Sequence, residues 1–338
     1  MTDSHTIQQP RRRRFFCGAL LVLLLLSSPL NAQDIHFSQI DINPILYDPA
    51  YSGFFDGIGR FGLTYRNQWS SVSKAFQTVA ATAELSLLRR KRNGDGLNLG
   101  CILFSDRAGT LHYGTTAGNI ILSYYKSLNS SNNSFLSGAI ELGAGQAGFN
   151  TGDIVMEDPS DNMPSTAANF VTLGAGLAWF VQPNDDCFVK LGVSGRNLNQ
   201  PDISFLELDD ARIERRFNAY ARAEFRAWPN VALLPIAAAS FQKQYREIIV
   251  GCDAKWYLSE SSFRFLTLAA GMRYRWRDAA TVEFSAEYNA FIFALSYDAN
   301  ISKLTPASKS IGAFELAIVY RLAKNNRVHR KALPCPIL

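Results

Sequence analysis

Four kinds of side chain in this 338-residue sequence could do chemistry: histidines, cysteines, clustered carboxylates, and arginines interleaved with glutamates. His36, His112 and His329 are scattered and share no spacing with a second metal or thiol ligand. Cys101, Cys187, Cys252 and Cys335 are widely separated and contain no paired metal-binding spacing; the first three fall in strand-like stretches, where a buried small hydrophobe is expected rather than a disulfide. Residues 152–162 (GDIVMEDPSDN) concentrate acids, yet they lack the alternating ligands and terminal glutamate of a calcium loop. Asp41, Asp48, Asp106, Asp153, Asp158 and Asp161 stand in segments where aspartate suits turns. Gly143, Gly145 and Gly148 open no helix, so they read as strand or bend residues and not as a phosphate cradle. The expectation is a non-enzymatic chain with no catalytic set, cofactor or metal.

The remaining candidates are Arg222, Glu224 and Arg226, then Arg273 and Arg275, then Glu283 and Glu287, and within each set the charges fall on alternate positions. Alternation has a period of two, which a strand has and a helix does not. The stretch from Thr281 to Asn300 shows it most clearly. Val282, Phe284, Ala286 and Tyr288 alternate with Glu283, Ser285, Glu287 and Asn289, and after a tight turn Phe291, Phe293, Leu295 and Tyr297 alternate with smaller or polar residues. A tilted strand crossing an outer membrane needs about 9 to 11 residues, which these segments supply. The fold expected is an all-β transmembrane antiparallel barrel with the aromatic face in lipid and the charged face in the lumen. Mixed signs imply paired charges, because a lone charge in a narrow interior is costly. They favour a filled or constricted barrel over an open channel.

Repeating the same reading along the chain gives about fourteen strands, an even number, ending at Gly312–Leu322. The long connections 147–169 and 196–215 fall on one side, and short ones such as 182–186, 228–230, 258–262 and 289–290 on the other; the basic link 86–95 belongs to the short side. Arg11–Arg14, the apolar run from Gly18 to Leu26 and small residues up to Ala32 resemble a secretory signal peptide over 1–32. Removing its four arginines and one aspartate from a net charge of +5 leaves +2, so no nucleic-acid partner is expected. Cys17 precedes the apolar run and is not read as an acylation site. The expected organisation is a periplasmic or plug-like segment over 33–56, read as an extended lead-in, a barrel over 57–322, and a periplasmic tail over 323–338.

Three ordered motifs then carry a resemblance. Phe37-Ser38-Gln39 with Asn43-Pro44 and Pro49-Ala50, next Tyr65-Arg66-Asn67-Gln68-Trp69, and last Asp106-Arg107-Ala108-Gly109 resemble the PorP/SprF family of type IX secretion system outer-membrane proteins, as does the Cys335-Pro336 ending. The resemblance implies an accessory of type IX secretion or gliding in the outer membrane of a Gram-negative bacterium, supporting export or surface attachment of a partner. It implies contact with secretion components at the periplasmic face, with a secreted or surface-anchored adhesin and with outer-membrane lipid. It gives the motif residues a structural or partner-contact role, the proline-restricted NP and DPA segments suiting a plug or rim. The reading from a different class is a channel or transporter for small or hydrophobic solutes.

Overall fold

A computed structural model describes residues 36–69, 76–90, 94–108, 113–149, 167–204, 211–260, 265–302 and 310–322. The leader, the acidic loop 152–162, His112, Gly109 and the tail with His329 and Cys335 lie outside the described residues. Fourteen strands form the wall: β1 Gly59–Gln68, β2 Phe76–Arg90, β3 Asp95–Ala108, β4 Tyr113–Ser127, β5 Ser134–Gly148, β6 Ala167–Asn184 and β7 Cys187–Arg196. The circuit continues with β8 Arg216–Trp228, β9 Val231–Gln242, β10 Tyr245–Glu260, β11 Phe265–Arg275, β12 Ala279–Tyr288, β13 Phe291–Asn300 and β14 Ile311–Leu322. Each strand pairs antiparallel with its neighbours in sequence, and β1 closes on β14 in unbroken register from Gly59↔Leu322 to Gln68↔Ala313. Closure leaves no free strand edge at the seam, which hydrocarbon would penalise by several kcal/mol for each unpaired backbone group.

The two faces live in different solvents. Phe284, Phe293 and Leu316 are 55 %, 47 % and 45 % exposed, whereas their strand neighbours Glu283 and Glu315 are 4 % and 1 % exposed. An outward apolar belt of this extent would be an aggregation surface in water and is the normal surface of a barrel in lipid. The free cysteines Cys101, Cys187 and Cys252 all sit on the outward-facing positions, the first two half-buried and the third exposed. The expectation of buried cysteines is therefore corrected: the small thiol faces lipid, where an apolar side chain costs nothing.

Even strand number puts Ile58 and Leu322 at one end, called proximal here, and the other end is distal. The basic link 86–95 is shorter than expected, because β2 runs on to Arg90 through a bulge between Ser86 and Leu88. On the distal side the β7–β8 connection folds back: Asn199 Nδ2 donates to Val171 O at 2.7 Å and its Oδ1 accepts from Leu173 N at 3.0 Å, occupying the edge of β6 beyond the start of its pairing with β7. Ile203 and Ile213 of this connection pack against buried Ala117, Ala147 and Phe170.

The amino-terminal segment, expected as a periplasmic or plug-like lead-in, is not extended: His36–Asp56 lies inside the barrel and descends it from the distal to the proximal end. Ser38 bonds Asp298 and Glu315 near the distal strand ends, and Phe55 O accepts from Arg89 near the proximal end of β2 at 3.1 Å. Pro44–Leu46 and Pro49–Tyr51 form two short 3-10 turns, each opened by the proline whose fixed φ and missing N–H suit that position. Asp48 caps the second turn by accepting from Ala50 N at 2.8 Å. The wall yields to it at Gly176 and Gly192, where a Cβ would stand only 2.2 Å and 2.6 Å from the two carboxylate oxygens of Asp48.

Candidate functional site

The lumen and its internal segment are the candidate site, and they divide into two sectors. In the sector made by β8, β10–β14 and β1, inward positions carry arginines and carboxylates. Arg273 Nη2 lies 2.7 Å from Asp41, 3.2 Å from Asp253 and 3.0 Å from Glu283. Arg222 pairs with Asp41 and, at 3.1 Å, with Asp253. Closer to the distal end, Arg66 pairs with Glu315 and, at 3.2 Å, with Asp298, and Arg275 reaches Asp298 at 3.1 Å and Glu247 at 3.1 Å. The internal segment is bound into these clusters through its backbone. Ser38 N and Gln39 N donate to the two Glu315 oxygens at 2.7 Å and 3.0 Å, Arg273 donates to Ser38 O at 2.8 Å, and Arg60 donates to Ile42 O.

Across β3–β7 and the distal part of β8 the same segment is held by hydroxyls and rings. Ser137 and Ser123 donate to Ala50 O and Ser52 O, each at 2.7 Å, while Ser194 and Asn218 donate to Tyr47 O at 3.1 Å and 3.0 Å. Phe54 stacks on Phe180 and Phe188 and meets Phe135 and Tyr125 edge-on, and Tyr51 makes edge contacts with Phe180 and Tyr220 at 5.1 Å and 5.4 Å. Such aromatic pairs each contribute about 0.5–1.5 kcal/mol beyond the area they bury. Charges also reach this half of the segment: within the sector Arg196 pairs with Glu141 at 2.9 Å and donates to Ile45 O at 2.6 Å, and from β2 Glu84 accepts from Gly53 N at 3.0 Å.

Titration within the segment follows its surroundings. Burial, then the Arg66 and Arg275 guanidiniums, hold the His36 ring well below the usual histidine range, so it is neutral and Nε2 accepts from Arg66 at 3.3 Å. Burial alone would raise Asp41, but Arg222 and Arg273 outweigh it and keep the carboxylate ionised. Asp41 therefore lies in a turn, as expected from sequence, and is an ion-pair partner as well. Asp48 has no such cation against it. Burial pushes its carboxyl up to about 7, with the Ala50 N–H and then Arg196 acting the other way, and Oδ2 has no hydrogen-bond partner.

Asp41, Asp253 and Glu283 bring carboxylate oxygens within 4.8 Å of one another. Arg222 and Arg273 already stand among them, so fixed guanidinium charges take the place a cation would need. The cluster is a lattice of three carboxylates against two guanidiniums.

Sequence-predicted residues distribute unevenly. Arg273, Arg275 and Glu283 join Ser38, Gln39 and Arg66 in or beside the distal clusters, and Asn43 donates to Thr64 at 2.6 Å. Pro44, Pro49 and Ala50 build the 3-10 turns. Glu224, Arg226 and Glu287 sit at the proximal end: Lys255 approaches Glu224 at 3.4 Å, Arg321 pairs with Glu287, and Arg226 lies 4.7 Å over the Tyr257 ring. Tyr65 and Asn67 bond each other at 3.2 Å on the outward side, Gln68 accepts from Arg66 at 3.4 Å, and Trp69 packs on Phe76 at 5.2 Å. Phe37 is half-buried at the start of the described segment. Two motifs far apart in sequence thus meet in one cluster, and the family model for the type IX secretion system membrane protein PorP/SprF matches residues 30–320.

The chain belongs to the PorP/SprF family.

Membership and the barrel place it in the outer membrane as a type IX secretion system membrane protein, in a family and fold that are typically non-enzymatic. Among curated proteins, none matches the chain in sequence. Among solved structures, a TodX monoaromatic hydrocarbon channel lacking S2 and S3 is similar at 10 % identity and TM-score 0.51, over 82 % of this chain and 93 % of that one. The CymD monoaromatic hydrocarbon channel is similar at 11 % identity and TM-score 0.48, over 85 % and 94 %. A Pseudomonas aeruginosa FadL homologue is similar at 11 % identity and TM-score 0.46, over 81 % and 92 %. At 10 % identity the TodX likeness speaks for the barrel fold alone.

Sequence reasoning missed Arg60, Glu84, Asp253, Asp298 and Glu315 as members of the PorP/SprF lumen lattice. Their signal was present: each is a charge on the polar phase of an alternating strand.

Proposed function

We propose that this protein is a non-enzymatic accessory of type IX secretion that supports export or surface attachment of one partner protein, a secreted or surface-anchored adhesin. In this reading the proximal rim, with its short turns, faces the periplasm and contacts secretion components, the distal connections face the cell surface, and the apolar belt contacts outer-membrane lipid. The observation that carries it is the filled lumen. A segment bonded to the wall along the whole bore leaves the rims and connections as the surfaces that can act, which favours a protein-contacting role over passage of solute. The ion-pair lattice supports this further, since breaking a buried pair by moving one partner away costs about 3–5 kcal/mol.

The test is deletion followed by complementation. Loss of the gene should abolish surface display of a particular exported protein while the general translocon still assembles and exports other cargo. Unchanged display of every exported protein would end the proposal, and single-channel conductance of the purified barrel in a planar bilayer would transfer support to a solute channel.

A further inference from the structure

A recess of about 210 Å³ remains between the internal segment and the proximal half of the charged sector. It is smaller than the roughly 300–1,000 Å³ of a drug-sized site, and large enough for one terminal residue of a chain. Five cations line it, and four are already opposed within the protein. Arg60 faces Glu84 at 3.5 Å, Arg222 faces Asp41 and Asp253, Lys255 faces Glu224 at 3.4 Å, and Arg321 faces Glu287. Lys190 differs. Among the described residues its ammonium has no ion pair, and its recorded contact is the Phe188 ring, 5.5 Å from Nζ. The apolar wall beside it comes from Phe54, Phe55 and Phe188, with the Tyr257 ring opposite. Water reaches the recess, because the Lys255 and Glu224 side chains are each 20 % exposed and Arg321 is 16 % exposed.

Glu224 and Asp41 act on Lys190 only from beyond ion-pair distance and are already engaged by Lys255 and Arg222, so an anion that desolvates beside its ammonium recovers part of the cost of sheltering it. Aromatic walls around such a cation select an anion attached to an apolar group. We propose that this recess binds a carboxylate carried on an apolar or aromatic group, with Lys190 as its counter-charge and Phe188 and Phe54 as its apolar floor. The proposal goes beyond the secretion role and does not depend on it. A polypeptide ending in an apolar residue and a free aromatic acid share this chemistry.

Calorimetric titration of the full-length protein in detergent distinguishes them, using Ala-Ala-Phe with a free carboxylate, the same peptide as its amide, and benzoate. The free-acid peptide should bind at least ten-fold tighter than the amide, and Lys190→Gln should remove that preference while Lys190→Arg restores it. An unchanged unfolding midpoint in Lys190→Gln shows that the wall is intact. If that variant fails to fold, Phe188→Leu takes its place, with at least a three-fold loss expected for the free-acid peptide. Binding of benzoate with no binding of the peptide keeps the carboxylate site and assigns it to a small acid. Equal binding of acid and amide, or preference for the acid persisting in Lys190→Gln, overturns the proposal.

Discussion

The two sectors of the lumen hold one segment by opposite means. From His36 to Asn43 the segment is held by a lattice of guanidiniums and carboxylates, with Arg273 touching three acids and Glu315 taking two backbone N–H groups. From Pro44 to Phe55 ring packing and neutral hydroxyls on backbone carbonyls take the larger share, with Arg196, Glu84 and Arg89 as single charged contacts to the backbone. The first kind is directional and fails abruptly when one member goes; the second is shape-dependent and fails by the volume lost. A segment anchored both ways has its path fixed by geometry at one end and by packing at the other.

Several substitutions can break or sharpen that contrast. Arg273→Met should have the largest effect, about 5 kcal/mol of lost stability in denaturant unfolding, since it leaves Asp41, Asp253 and Glu283 without their shared cation. A loss no greater than that of an exposed-face substitution would erase the distinction between the sectors. Next, Phe54→Ala should cost about 4 kcal/mol by opening a cavity among Phe135, Phe180 and Phe188, and the loss should be insensitive to salt. Strong salt dependence there would mean that the rings are not what holds that half.

Asp48 connects the two descriptions, being a carboxyl in the apolar half. Its pKa is raised on folding to about 7, so its neutral form is the one the lumen accepts. The stabilising contribution is therefore complete below the ordinary aspartate range and is lost as pH rises towards 7, at about 1.4 kcal/mol per pH unit within that window. Asp48→Asn keeps an oxygen for Ala50 N and cannot ionise. It should come close to wild type near pH 4 and be more stable by roughly 4 kcal/mol at pH 8; parallel pH profiles would show that Asp48 is hydrated or paired in solution. The smallest effect is expected on the lipid face, where Phe284→Leu should change unfolding by about 0.5 kcal/mol in vesicles.

Much of the wall was legible in the sequence, because side chains on the two faces of a strand meet different solvents and leave a period-two trace. Glu283 against Phe284, or Glu315 against Phe314, reveals inside and outside without knowledge of any partner strand. The internal segment left no comparable trace. Its burial comes from contacts with residues up to 277 positions away, as between Ser38 and Glu315, and two 3-10 turns impose no period on the chain. Asp41 reads as the turn residue it is, while its ion-pair role depends on Arg222 and Arg273, which lie on distant strands. Arg66 was visible as a motif member, but its role as the cation between Asp298 and Glu315 needed the β1–β14 seam.

That seam joins the strand that follows the internal segment to the last strand of the wall. Because the polypeptide begins its wall at the mouth opposite to where His36 sits, a cylinder zipped shut beforehand could receive residues 36–56 only by drawing a free end lengthwise through a bore lined with hungry charges. An assembly in which the segment is laid down while the sheet is still an open trough, with the bonds between β1 and β14 forming last, avoids that passage.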